Sequence, residues 1–176
     1  MDNKEEFILY QEGGDNNPSN KEEEESESNN EEYITNEEFL LECARFNDLP
    51  ALKNALNTSI TNLNQNYQDF RGNTALHMAS ANGHVDMVKF LINELKCDIN
   101  IINNSGSSAL SWAALNGQKE VVSILIKNGA NVNTKNNLGK TPSEEAYDSG
   151  FYDISEMLVA EELKTNKGIF EESADE

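Results

Sequence analysis

TALHMASANGHVDMVKFLI, Thr74 to Ile92, returns 34 residues later as SALSWAALNGQKEVVSILI, Ser108 to Ile126, and 33 residues after that, eroded, as TPSEEAYDSGFYDISEMLV, Thr141 to Val159. The register holds at independent points. A glycine stands just ahead of each copy, at Gly72, Gly106 and Gly139, and Asn82-Gly83, Asn116-Gly117 and Ser149-Gly150 divide each copy in two. Asp98-Ile99-Asn100 and Asn131-Val132-Asn133 repeat where the chain leaves each copy. A fixed period of about 33 residues marks units that stack side by side and bury a continuous core between neighbours, so the product is a surface and not a pocket.

Within each copy the apolar residues follow helical spacing. Val85, Val88, Leu91 and Ile92 form one stripe, and Val121, Ile124 and Leu125 repeat it, so each second helix buries one face. Gly129 suits a left-handed helix stop, whereas the preceding copy carries Glu94-Leu95-Lys96 there and is one residue longer. A degraded earlier unit runs from Asn36 to Leu56. It aligns Leu40 with Leu76, Cys43 with Ala79 and Leu52 with Val88, and Thr35 to Glu38 reads as a capping box. The last copy, with Tyr147, Ile154, Met157 and Leu158 among many acids, reads as a terminal cap with one apolar and one solvated face.

The copies open Thr74-Ala75-Leu76-His77-Met78-Ala79, Ser108-Ala109-Leu110-Ser111-Trp112-Ala113 and Thr141-Pro142-Ser143-Glu144-Glu145-Ala146. They resemble the T-P-L-H-x-A opening of ankyrin repeats. The implied fold is all-α: an ankyrin-repeat solenoid of about four helix-pair units, comprising a degenerate N-cap, two well-formed repeats and a C-cap, with disordered acidic ends. The units fall at about 36–67, 68–101, 102–134 and 135–163, making a repeat domain of 36–163 between an acidic segment of 1–35 and a short acidic tail of 164–176.

Charge is unevenly placed in these 176 residues, whose net is −19. Residues 1–38 hold fourteen acids and two lysines, whereas 39–160 hold twelve acids and nine bases. GGDNNPSNKEEEESESNNEE has almost no apolar residue to offset about 1–2 kcal/mol of backbone entropy per residue, so disorder is expected there. The apolar cluster Phe7 to Tyr10 is too short for a signal-peptide core, and no stretch approaches the roughly 20 apolar residues of a membrane helix. The expectation is a soluble intracellular protein without a membrane partner. Cys43 and Cys97, with no paired ligand at metal spacing, are expected to be buried thiols.

Candidate chemistry is sparse. His77 and His84 are the only histidines; their places in TALH and NGH imply hydrogen bonds that tie helix starts to neighbouring loops. No nucleophile with a base, phosphate loop or zinc spacing accompanies them, so neither an enzyme nor a cofactor is expected. Nucleic acid is a poor ligand for so acidic a chain, because its binding depends on cations that displace counterions. The run Glu22 to Glu27 either solubilises the chain or steers it toward a basic partner; Ser28, with Glu31 three residues on, fits an acid-directed kinase. Trp112 sits where an apolar side chain packs inward, with a partly exposed anchor as the alternative.

In ankyrin scaffolds the turn tips and the outer face of each first helix form the binding groove. The resemblance places there Phe70, Arg71, Asn73, Ala81 and Asn82, then Asn104, Ser105, Leu115 and Asn116, then Asn137, Leu138 and Lys140, with Ser107 and Asp148 beside them. Phe70, Leu115 and Leu138 stand out, since a large apolar side chain at a solvent-facing turn serves no folding purpose. The same likeness puts Asn100 and Asn133 where ankyrin proteins are hydroxylated.

The combination of TALHMASANGHVDMVKFLI, SALSWAALNGQKEVV and EEAYDSGFYDISEML is similar to fungal ankyrin chaperones dedicated to a basic KH-domain protein of the small ribosomal subunit. That likeness, over residues 36–163, implies capture of a basic client, escort between cytoplasm and nucleus, and release during ribosome assembly by a chain that is a monomer when free. The chain departs from that group in carrying its long acidic segment ahead of the repeats and in having Ser111 in place of histidine. The alternative is a regulatory or scaffold ankyrin subunit that binds an enzyme or transcription factor.

Overall fold

A computed structural model describes the backbone of residues 34–172 and the side chains of 34–165. The acidic run, Phe7 to Tyr10 and Ser28 therefore lie outside the described residues. Those described contain eight helices and no strand. The helices pair as α1 (Asn36–Phe46) with α2 (Leu49–Thr58), α3 (Ala75–Ala81) with α4 (Val85–Asn93), α5 (Ala109–Leu115) with α6 (Lys119–Lys127), and α7 (Pro142–Asp148) with α8 (Tyr152–Glu172).

Each first helix starts on a hydroxyl that accepts a hydrogen bond from the third residue's N–H: Thr35, Thr74, Ser108 and Thr141. Glu38, His77 and Glu144 return the bond to the cap's own N–H and complete a capping box. The degraded first unit keeps this chemistry, as its sequence predicts. Its two helices are separated by Asn47 in the left-handed region (φ 61°) and Asp48, whose carboxylate accepts from Ala51 N at 2.9 Å. Lys96 takes the left-handed conformation (φ 56°) where the next unit uses Gly129, which accounts for the extra residue there.

The first helices α1, α3, α5 and α7 pack in a row, whereas among the second helices α4 and α6 make the closest approach. The stack therefore curves with its first helices on the inside. Its core is one continuous cluster running from Leu40, Leu41 and Leu52 through Leu76, Met87 and Leu91 to Leu110, Leu125, Ile154 and Leu158. Cys43 and Cys97 are buried free thiols, as expected, and burial raises both pKa values to about 12.

Three features of the third and last units differ from expectation. Tyr147 is not part of the core but is largely exposed. Trp112 is half-buried, packed against the core with its ring edge-on to His77 at 5.6 Å, and so stands between the core and partly exposed readings. Helix α8 runs past the residue 163 boundary drawn from sequence, with no Gly or Pro to interrupt 152–167, and continues through Gly168 to Glu172.

Candidate protein-binding surface

The turn tips are built by one device used three times. A short polar side chain bends the backbone over itself: Asp69 Oδ1 accepts from Arg71 N and Asn73 N, both at 2.8 Å. Asn103 Oδ1 takes Ser105 N and Ser107 N, and Asn136 Oδ1 takes Leu138 N and Lys140 N, in the same pattern. Neighbouring tips then join, since Asn104 N donates to Arg71 O at 3.0 Å and Asn137 N to Ser105 O at 2.9 Å. At this join Gly106 is required twice over. Its φ is +73°, and a Cβ there would lie 2.8 Å from Asn137 Oδ1 and 3.1 Å from Asn136 Cα.

Three further sets of ties hold the units in register. His77 Nδ1 accepts from Thr74 N and the Thr74 hydroxyl, while Nε2 donates to Ser107 O at 3.0 Å. One nitrogen accepts and the other donates, so the ring is neutral, and burial lowers its pKa. His84 Nε2 reaches back to Arg45 O at 3.0 Å, and Gln118 at the equivalent position reaches Ala81 O. On the loops after the second helices, Asn66 Oδ1 accepts from Asp98 N and Asn100 Oδ1 from Asn131 N. Both histidines are thus structural ties, as TALH and NGH imply.

The third unit does this differently. Ser111 is too short to reach the next unit's backbone, and its hydroxyl lies 3.4 Å from that of Ser108. Glu145 of the fourth unit lies beside Ser111, and its Oε1 accepts from Asn136 Nδ2 of its own tip at 2.7 Å. Burial raises the Glu145 pKa, opposed by the Asn136 and Ser111 hydrogen bonds and the Lys140 charge. Its Oε2 is buried without a hydrogen-bond partner.

These ladders sort the groove residues expected from sequence. Asn73 is a correction: it is 3% exposed and bonded to Asp69 and Asn103, so it cannot meet a partner. Ser107 is likewise buried, with its N–H and carbonyl both engaged. Asn104 and Asn137 are exposed, but their carboxamides donate to Phe70 O and Asn104 O of the preceding tips. Asn82 and Asn116 close their helices by donating to Met78 O and Trp112 O. Lys140 is ion-paired with Asp148. Five residues remain with side chains open to solvent on the tips and inner helices: Phe70, Arg71, Ser105, Leu138 and Leu115, beside the half-buried Ala81. Phe70 and Leu138 are 86% and 81% exposed, and the Arg71 guanidinium stacks on the Phe70 ring at 5.1 Å.

The sequence reading missed a second exposed patch. Tyr147, Tyr152, Val159 and Leu163 border an open groove of about 510 Å³ at the α7–α8 end of the stack. The signal was present: Tyr147 stands where the earlier copies have Ser80 and Ala114. A larger depression, about 650 Å³, lies between α2 and α4, where Lys53 Nζ sits over the Phe90 ring. Among the described residues no group of His, Cys, Asp and Glu is arranged to hold a metal ion, and no helix is long and apolar enough to cross a membrane.

Comparison with known proteins agrees with this architecture. Residues 40–136 and 95–169 match the profile of ankyrin repeats (3 copies). A putative ankyrin repeat protein of Rickettsia bellii is 32% identical over 124 residues, covering 70% of this chain and 67% of that protein. The E3 ubiquitin-protein ligase Ufd4 of Drosophila melanogaster is 34% identical over 122 residues, 68% of this chain but 4% of the ligase. A probable 26S proteasome regulatory subunit p28 of Saccharomyces cerevisiae is 36% identical over 93 residues, 52% of this chain and 41% of that subunit. The chain thus spans well under two thirds of several relatives, and what it shares with them is the repeat. Stacked helix pairs, repeating Asx-closed tips and the profile match together make this chain a member of the ankyrin-repeat family.

Proposed function

We propose that this ankyrin module is an acidic, non-enzymatic chaperone for a basic protein client such as a small-subunit ribosomal protein, acting as a monomer between cytoplasm and nucleus in ribosome biogenesis. Ankyrin repeats are protein–protein interaction modules, and the proposal adds the client's chemistry. The observation that carries it is the pairing of solvent-facing Phe70, Leu138 and Leu115 with a net charge of −19. Nearly every polar side chain near the tips is committed to the scaffold's own backbone, which leaves apolar side chains as the anchors. The acid-rich ends supply long-range attraction, which raises association rate more than it raises affinity.

The experiment is a binding titration of the purified chain with a purified basic KH-domain ribosomal protein at about 50 and 200 mM salt. Binding should weaken with salt, and Phe70→Ala with Leu115→Ala should cost about tenfold or more in affinity. Melting should change little, because an exposed Phe70 contributes within about 0.5 kcal/mol of stability. Absent binding, or binding indifferent to salt, would sink the chaperone reading. The likeness to a proteasome regulatory subunit favours a second reading, a regulatory or scaffold subunit that positions an enzyme or transcription factor; a salt-insensitive, stoichiometric complex with a non-ribosomal partner would establish it.

A further inference from the structure

The end of the stack formed by α7 and α8 carries a second surface, separate from the tips. In the inner units the residue at its key position is small and enclosed: Ser80 and Ala114 are both 0% exposed, since the next first helix lies against them. In the last unit that position is Tyr147, 61% exposed, with its ring edge-on to Tyr152 at 5.2 Å. The equivalent of the enclosed Val122 is Ser155, and Val159 and Leu163 complete an apolar floor. Where the inner units set a small side chain against the next first helix, this face presents the Tyr147 ring.

Its rim is anionic. The groove of about 510 Å³ adjoins a smaller one of about 180 Å³, and the two share Tyr147, Ser155 and Val159. Glu156 edges the first, and Glu144 and Asp148 edge the second. Asp148 is held by Lys140 and Glu144 accepts from Thr141 N, whereas Glu156 forms no ion pair among the described residues. Two tyrosines and two aliphatic side chains between carboxylates match the i, i+3, i+4 anchors of an amphipathic helix whose flanks carry cations.

Charge selects among the occupants. A second copy brings another −19, and the chain's own apolar cluster Phe7 to Tyr10 is flanked by Glu5, Glu6 and Glu12, so both are repelled by this rim. We propose that the α7–α8 end groove docks a lysine- or arginine-bearing amphipathic segment of a partner protein, with its apolar side chains seated between Tyr147, Tyr152 and Val159 and its cations on Glu144 and Glu156. This surface is distinct from the tips, and it stands whether or not the client proposed above is correct.

The test uses the full chain, isotope-labelled, titrated with a 15-residue amphipathic peptide of leucine and lysine and with its leucine–glutamate counterpart. The lysine peptide should shift the backbone resonances of Tyr147, Tyr152, Glu156 and Val159 and bind about tenfold more weakly at 200 than at 50 mM salt. Tyr147→Ala with Tyr152→Ala should weaken it tenfold or more, and Glu156→Lys, which leaves the packing alone, should weaken it severalfold. Phe70→Ala with Leu115→Ala should leave it unchanged, which separates this groove from the tips. Shifts confined to residues 1–33 or to the tips, or equal binding of the glutamate peptide, would overturn the proposal. So would groove resonances that move with protein concentration alone, which would make the occupant a second copy. Groove resonances that move on Ile8→Asp would assign the groove to the chain's own N-terminal segment and overturn it equally.

Discussion

Replacing His77 by serine, the residue the chain itself uses one unit later at Ser111, tests how the units are tied together. Serine preserves the hydroxyl cap seen at Ser108 and Ser111 but gives up the Thr74 N–H bond to Nδ1, so the variant reports the imidazole's bonds to its own cap and to the next unit together. Ser107 O loses one of its two donors and keeps Asn103 N at 3.0 Å, so the lost bond costs about 0.5–1.5 kcal/mol. The ring is 0% exposed and meets Trp112 edge-on at 5.6 Å, so its removal adds a cavity term and an aromatic contact of about 0.5–1.5 kcal/mol. With partial collapse the total is about 2–4 kcal/mol, a sizeable share of the roughly 5–15 kcal/mol that holds a domain together. Urea unfolding followed by circular dichroism at pH 7 should show a lower midpoint with little change in slope, and the Trp112 emission of the folded state should shift.

His77→Ser should also change the pH dependence. Because burial lowers the folded pKa of His77, the unfolded chain binds a proton that the folded chain does not. The stability this supplies is present above the ordinary histidine pKa of about 6.5 and is lost as pH falls through the lowered value. The variant should lack that slope. A loss under about 1 kcal/mol together with an unchanged slope between pH 7 and 5 would refute the assignment of His77 as a neutral inter-unit tie.

Two further outcomes follow from the same ladders. Glu145→Gln removes a buried carboxylate whose Oε2 has no partner and whose pKa burial has raised, so the variant should gain about 1 kcal/mol at pH 7. With the folded pKa above the ordinary 4.5, Glu145 favours the fold below that value and loses this as pH rises through the raised one; thermal melts from pH 4 to 8 should show the decline in the native chain and not in the variant. Gly106→Ala forces a left-handed alanine and pushes its Cβ into Asn137, so chemical unfolding should register a loss of about 1–3 kcal/mol, whereas a neutral result would mean that the tip join is slack.

The sequence by itself determined the architecture, because stacking units must each repeat the same caps, turns and apolar stripe, and that repetition is visible without coordinates. It gave the four helix pairs, the Thr35–Glu38 cap, the buried thiols and the structural role of both histidines. It could not separate exposed side chains from free ones. Asn73, Asn104 and Asn137 look alike in sequence as polar residues at tips, yet each spends its carboxamide on a group some 30 residues away or on the tip before it, and only stacking brings those partners within hydrogen-bond distance. The absence of a His77-type reach at Ser111, with Glu145 bonded instead to Asn136 of its own tip, is of the same kind, since it depends on which side chains the packed helices bring together. The end groove, too, was decided by tertiary structure. Tyr147 stands at a core register in the sequence, and it faces solvent because, among the described residues, no further first helix packs on the far side of α7.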